Sequence, residues 1–203
     1  MGYYERLNEI LASTLEDKNR SMEVNSLKET AKLAKIIIDN TPSITKESFE
    51  EYVSLNDSIN IVGDFLYNLN DNYSSMYFNI LQEKNIYKGK EEPSVEFIPF
   101  KGKDLSAVRS DGKVIISYQN NINDIYSIAH EIIHKFSQPK HQNSIIKSYL
   151  GETSTIATEF LVEDYLLNNT SYSKEEIIRR KQNRLVDTYF DASAVLFEYT
   201  LLE

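Results

Sequence analysis

The sequence predicts a mainly helical fold with a small β-sheet, and three features of its composition lead to this expectation. Glycine and proline are scarce, at 6 and 4 residues among 203, which disfavours an all-β design with many turns. Long stretches rich in Leu, Ile, Glu, Lys and Asn carry apolar residues at three- and four-residue steps, as amphipathic helices do. A hydrophobic share of 41% in a chain of this length is enough for one domain with a real core.

The N-terminal region is predicted to be helical. Apolar residues recur with helical spacing over residues 3–39, which favours one long helix or two short ones. Pro42 ends this stretch, because proline cannot continue the backbone hydrogen-bond ladder of a helix. Thr45 followed by Glu47 then indicates a new helix start, since a threonine hydroxyl can cap the exposed N–H groups of a first turn.

The rest of the chain is predicted to hold further helices around one clear strand. A helical stripe continues over residues 49–69, and a polar run at 70–72 separates it from a helix at 73–84. Residues 87–112 collect Lys, Glu, Gly and Pro, which is typical of irregular structure with short strands. The β-branched run 114–118 is the clearest strand. Helices are then expected at 125–136, at 148–167, and from Ser173 to the C-terminus.

Charge and composition narrow the possible functions. A formal charge of −9 and a pI near 5.0 argue against nucleic-acid binding, which needs a basic face. The chain has no cysteine, so any metal must be held by histidines and carboxylates. No apolar run approaches the roughly 20 residues of a membrane span, and the first residues lack the apolar run of a signal peptide. We therefore expect a cytoplasmic protein without a membrane or nucleic-acid partner.

A histidine pair carries the strongest chemical signal. His130 and His134 are four residues apart in a predicted helix, so both imidazoles lie on one face and can bind the same zinc ion. Glu131 is rotated by about 100° from His130 around that helix, which predicts a carboxylate beside the open position of the metal. Glu131 can then act as the general base that takes a proton from a zinc-bound water. The alternative interpretation is that two helical histidines merely cover a surface.

A catalytic zinc needs a third protein ligand, and the third histidine does not fit. The longer metalloprotease pattern requires glycine three residues and histidine six residues after His134, where this chain has Ser137 and Lys140. His141 comes one position too late and is predicted to be a solvated loop residue.

Two downstream glutamates fit better. Glu152 and Glu159 are two turns apart, on one face of the helix predicted for residues 148–167, with apolar residues nearby. A carboxylate that points inward from an apolar helix needs a partner, which a metal would supply. We predict Glu152 as the third zinc ligand and Glu159 as the hydrogen-bond partner of a ligating histidine. The apolar neighbours that support this interpretation are Ile156, Phe160 and Leu161.

The strand before the histidine pair predicts where a substrate binds. A strand with an exposed edge can pair with the backbone of an extended peptide, through hydrogen bonds that tolerate many side chains. The predicted substrate-binding residues are Ile115, Ile116, Ser117 and Tyr118.

Together these segments resemble a known family. Residues 114–134 look like the strand, turn and active-site helix of the thimet oligopeptidase and oligoendopeptidase F family, zinc metallopeptidases of the gluzincin type. Residues 151–159 look like its third-ligand helix, and the likeness extends over roughly 49–203. It implies a zincin-like, thermolysin-type core at 46–203 behind an N-terminal helical extension at 1–45, within a single domain 1–203. Family members are several times longer and usually carry glycine where this chain has Ile133, so the resemblance implies the catalytic core alone.

The expected function is therefore that of a hydrolase, a zinc metalloendopeptidase of short or unstructured peptides. Two alternatives stay open. A compact metalloprotease that cleaves one protein partner, such as a repressor, pairs the same histidine motif with a helix like 152–159. A non-catalytic zinc-containing binding module is the other alternative, although such a site needs no general base and usually fills all four zinc positions with protein ligands. The retention of Glu131 favours catalysis.

Overall fold

The computed structural model describes residues 17–41, 45–102, 106–109, 112–137 and 145–202. For residues 17–27, 137, 145–153, 198, 199, 201 and 202 it describes the backbone alone. Within these ranges the chain is mainly helical with a small mixed sheet, which confirms the coarse fold class. The helices are α1 Asp17–Asn40, α2 Leu55–Leu69, α3 Asp71–Gln82, α4 Asn123–Ser137, α5 Ile145–Asn169 and α6 Lys174–Leu202. The strands are β1 Lys84–Tyr87, β2 Lys90–Pro93, β3 Val95–Pro99, β4 Ala107–Val108 and β5 Val114–Tyr118.

The chain divides into two compact units, Met1–Glu47 with Lys181–Glu203, and Ser48–Arg180. In the first unit, the side chain of Asn183 joins α6 to the backbone of Glu47: it accepts from the N–H at 2.8 Å and donates to the carbonyl at 2.8 Å. Lys46 forms an ion pair with Asp187 close by. The predicted single domain with an extension at 1–45 stays a prediction.

The second unit contains the hydrophobic core and every site residue predicted from the sequence. Its core joins one face of α2 to the inner face of the sheet and to α4 and α5, and full burial of each large aliphatic side chain contributes about 1.5–3 kcal/mol. The helices that carry the predicted site are therefore held by packing rather than by helix propensity. Core residues include Val62, Phe65, Leu66, Val114, Ile116, Ile122, Ile125, Ile128, Ile132, Val162, Leu166 and Ile177.

The sheet places β5 in the middle of three strands, in the order β3-β5-β4. β5 pairs with β3 in parallel along all five residues, and with β4 in antiparallel at Val114 and Ile115. The Ser117 N–H on the β4 side donates to the Ser106 hydroxyl at 3.0 Å. The expectation that residues 114–118 form an edge strand is therefore wrong, because both sides of β5 have partners. Substrate binding by Ile115, Ile116, Ser117 and Tyr118 stays a prediction, and it cannot rest on a free edge along β5.

The helix start predicted at Thr45 is also wrong. Residues 45–50 have no regular structure, and Glu47 uses its backbone groups to bond the Asn183 side chain instead of a helical ladder. The next helix, α2, begins at Leu55 instead. The Ser54 hydroxyl caps its first turn by accepting from the Asp57 N–H at 3.1 Å.

Most other predicted elements that fall on described residues are confirmed with shifts of their ends. Residues 3–16 of the predicted N-terminal helix, and Pro42 as its stop, lie outside the described residues. The break at 70–72 lies at Asn70, which ends α2 and also caps α3 by accepting from the Asn72 N–H at 2.9 Å. The helices expected at 125–136, at 148–167 and from Ser173 are α4, α5 and α6. Across the described residues, no helix combines the length and apolar character needed to cross a membrane.

Candidate functional site

A buried carboxylate joins β5 to α4 and sets the direction of the helix that bears the histidines. Asp124 accepts hydrogen bonds from the backbone N–H groups of Gln119 at 2.9 Å, Asn120 at 2.7 Å and Asn121 at 3.3 Å. These bonds satisfy the backbone as it turns from the strand into the helix, and Asn120 adopts a positive φ of 57° there. Burial raises the pKa of Asp124, and the backbone hydrogen bonds act in the opposite direction.

Replacing this carboxylate should destabilise the second unit. Asp124→Ala leaves three backbone N–H groups without their acceptor, and we expect a loss of about 2 kcal/mol in the free energy of unfolding. Asp124→Asn keeps one acceptor oxygen and should lose less. Urea unfolding monitored by circular dichroism measures both, with the exposed Asp191→Ala as the control. An Asp124→Ala protein as stable as the control would contradict this role.

One face of α4 packs in the hydrophobic core and the opposite face carries the two histidines. One face carries Ile125, Ile128 and Ile132, which are fully buried in the core. The other face carries His130 and His134, whose Nε2 atoms are 3.1 Å apart, with ring centroids separated by 4.7 Å and planes inclined by 73°. The structure therefore brings the two predicted ligands together at the nitrogens that would bind a metal.

Glu131, the predicted general base, follows His130 directly in α4 and is buried. Only 7% of the residue is exposed, although its side chain is ionisable. A buried carboxylate is costly without polar partners, so this position requires them.

Glu159 lies where a partner for a ligating histidine is needed. His130 Nδ1 lies 2.8 Å from Glu159 Oε1. Glu159 shares the buried face of α5 with Val162 and Leu166, as the helical spacing requires. The apolar neighbours assumed from the sequence are different, because Phe160 is 59% and Leu161 49% exposed.

The second oxygen of Glu159 binds an arginine that sequence reasoning missed. Arg180 Nη2 donates to Glu159 Oε2 at 2.6 Å, and the Arg180 guanidinium lies 4.5 Å from the centre of the Tyr126 ring. Burial raises the pKa of Tyr126, and the charge of Arg180 acts against that rise. The only available signal was general: a buried carboxylate needs partners for both oxygens, which does not choose among 22 lysines and arginines.

The sheet supports the end of α4 from the other side. Lys135, directly after His134, donates to the carbonyl of Gly112 at 2.6 Å in the turn before β5. Lys113, which follows Gly112, is buried and forms ion pairs with Glu92 at 2.5 Å and Glu96 at 2.7 Å. Hydrogen bonds to the two carboxylates raise the pKa of Lys113 against the effect of burial. The helix of the histidines is therefore attached to the sheet at both of its ends.

A complete metal site is not visible in the described side chains. Among them, no group of three His, Cys, Asp or Glu residues could hold a metal ion. The backbone of Glu152 lies in α5, but its side chain is outside the described residues, as is the whole of His141. Glu152 as the third ligand therefore stays a prediction.

The donor set that is described fits two zinc ligands. Two nitrogens bound to a tetrahedral zinc at ordinary bond lengths are about 3.3 Å apart, close to the spacing of the two Nε2 atoms. Because a carboxylate accepts hydrogen bonds, the contact with Glu159 makes His130 Nδ1 a donor, so that Nε2 carries the lone pair. A ligating histidine typically has this arrangement, with its other nitrogen donating to a carboxylate.

The chain matches no protein-family model, no curated protein and no solved structure. Any functional assignment therefore depends on the geometry and chemistry of the site itself.

Proposed function

We propose that this chain is a zinc-dependent metallopeptidase with a zincin-like core. One observation supports the proposal more than any other: the Nε2 atoms of His130 and His134 meet at 3.1 Å while Glu159 occupies the far nitrogen of His130. Two histidines that only cover a surface would not need a buried carboxylate and arginine behind them. The zincin-like core and the relation to the oligopeptidase family belong to the same proposal.

Each residue has a role in this proposal. His130, His134 and Glu152 hold the zinc ion, which when bound acts as a Lewis acid that polarises the scissile carbonyl and makes water more acidic. Glu131 accepts the proton of the attacking water and passes it to the departing amine, as a general base and then a general acid. Glu159 accepts from His130 Nδ1 and keeps the ring in the orientation that presents Nε2.

The proposed substrates are short or unstructured peptides. A folded protein presents few extended segments to a site at the surface of a helix, whereas an unstructured peptide can adopt the extended conformation without unfolding first. The chain charge of −9 says little about this local site. Cleavage of one protein partner, and zinc binding without catalysis, are the outcomes against which the substrate proposal is tested.

The first test is metal content. Purified protein should carry about one zinc ion per chain, held by two imidazoles, one carboxylate and a water molecule. Elemental mass spectrometry measures the ratio, and a mixed peptide library reports hydrolysis with and without a chelator. We expect the chelator to abolish hydrolysis and added zinc to restore it.

Three other results would redirect the assignment. A chain without zinc even after reconstitution would mean that His130 and His134 share only a hydrogen bond. Zinc without hydrolysis of any peptide, but with cleavage of one protein, would favour the partner-specific protease. Zinc with neither activity would favour the binding module.

A further inference from the structure

The arginine behind Glu159 has no place in the proposed chemistry so far. Arg180 lies on α6, donates to Glu159 Oε2 at 2.6 Å, and has a side chain only 12% exposed. We propose that Arg180 is a positioning residue: through Glu159 it holds His130 in the tautomer whose Nε2 faces His134, and it thereby sets the zinc affinity of the site. The inference about affinity rests on the proposed function, whereas the inference about the tautomer does not.

The available donor groups fix the direction of each hydrogen bond around Glu159. A guanidinium has only donors, so Glu159 Oε2 must accept from Arg180. Glu159 Oε1 then faces His130 Nδ1 at 2.8 Å, and this carboxylate oxygen can only accept from an imidazole N–H. The hydrogen of a neutral His130 therefore sits on Nδ1, and its lone pair sits on Nε2, toward His134.

Arg180 limits how Glu159 can move. Without a cation on Oε2, the Glu159 carboxylate could rotate about its last bond and offer either oxygen, or neither, to His130, because that torsion is broad. The pair is shielded from solvent, with 9% of the Glu159 side chain exposed, so water competes little for these oxygens. Surface ion pairs hold geometry poorly by comparison.

Tyr126 in turn limits how Arg180 can move. The Arg180 guanidinium lies 4.5 Å from the Tyr126 ring centre, within the range of a cation–π contact. Tyr126 and His130 are one turn apart on α4. The contacts thus begin and end on α4. Tyr126 on α4 contacts Arg180 on α6, and Arg180 donates to Glu159 on α5. Glu159 in turn accepts from His130 on α4. Three helices must keep their spacing for His130 to be oriented.

The adjacent arginine provides a matched control. Arg179 is also a partly buried arginine of α6, but it pairs with Glu176 in its own helix and with Glu50 before α2, and not with Glu159. We compare Arg180→Met with Arg179→Met in the full chain, because methionine preserves much of the side-chain volume without the charge. The zinc dissociation constant is measured by competition with a chromophoric chelator. The tautomer of His130 is read from its ring nitrogen-15 chemical shifts in metal-free protein at about pH 8, above the ordinary pKa of an imidazole.

Arg180→Met should weaken zinc binding by roughly 10–100-fold, the usual effect of losing a group that supports a metal ligand. In the metal-free protein the same variant should shift His130 from the Nδ1–H tautomer to a mixture, while Arg179→Met leaves both readouts at wild-type values. Arg180→Lys keeps the cation without the planar fork and should fall between wild type and Arg180→Met. If Arg180→Met does not fold, Arg180→Lys carries the comparison.

The remaining outcomes separate the two levels of the proposal. A folded Arg180→Met with wild-type affinity and an unchanged tautomer overturns the positioning role while leaving the metallopeptidase proposal intact. Weaker zinc binding with an unchanged tautomer also overturns it, because Arg180 would then affect zinc affinity by a route other than the tautomer of His130. If wild type binds no zinc, the proposed function fails, and the tautomer of the metal-free protein still tests Arg180.

Discussion

Glu131→Gln should bind zinc as the wild type does and lose roughly a hundred- to ten-thousand-fold of its peptide hydrolysis. The amide has the size and polarity of the carboxylate, so the buried position is filled in both proteins. What the amide lacks is the basic oxygen that takes a proton from water. Turnover of a fluorogenic peptide, measured with zinc content on the same samples, separates chemistry from metal binding.

The control for this variant is Glu91→Gln, which removes an exposed carboxylate of β2. It should leave both hydrolysis and zinc content unchanged. Equal turnover in wild type and Glu131→Gln would remove Glu131 from the mechanism. A Glu131→Gln protein that also loses its zinc would instead make Glu131 part of the metal site, contrary to the role assigned to it.

His134→Ala should lose zinc binding and peptide hydrolysis together. Removal of a direct ligand is expected to weaken zinc binding by more than the roughly 10–100-fold effect of a supporting group. Because ligand binding stabilises the folded state according to concentration and affinity, added zinc should raise the melting temperature of wild type but not of His134→Ala. Differential scanning calorimetry with and without zinc measures this difference.

His141→Ala is the natural comparison, since His141 is the only histidine outside the motif. It should respond to zinc as wild type does. The metal-free His134→Ala protein should melt close to metal-free wild type, because His134 is only half-buried and lies outside the apolar core. If His134→Ala still gains thermal stability from zinc and His141→Ala does not, the ligand assignment is wrong.

Local patterns in the sequence predicted most of the fold. The run of β-branched residues gave β5, helical spacing gave α4, α5 and α6, and the polar run at 70–72 gave the boundary at Asn70. The errors arose where distant residues compete for the backbone. The sequence around Thr45 does not reveal that the distant Asn183 side chain bonds the backbone of Glu47. The sequence of β5 does not reveal that β3 and β4 pair with both of its sides.

In the candidate site, too, local contacts could be predicted from the sequence and distant ones could not. His130 and His134 could be paired from their spacing, because one helical turn fixes their relation, and Glu159 could be chosen as an inward carboxylate. Arg180 could not be found in this way. Its partners Glu159 and Tyr126 lie on two other helices, and only tertiary packing brings them to it. The position of the Glu152 side chain is the part of the site that stays a prediction from sequence alone.

The separation of these contacts along the chain also has a kinetic consequence. The two histidines are four residues apart, so the helix brings them together as soon as it forms. The bond to Glu159 spans 29 residues and that to Arg180 another 21, so each requires a long segment of chain to close. On a ribosome the histidine pair therefore precedes its support by the time needed to synthesise α5 and the start of α6. A local opening that detaches either helix returns the site to that earlier state, in which the histidines are still neighbours but His130 is no longer held in one tautomer.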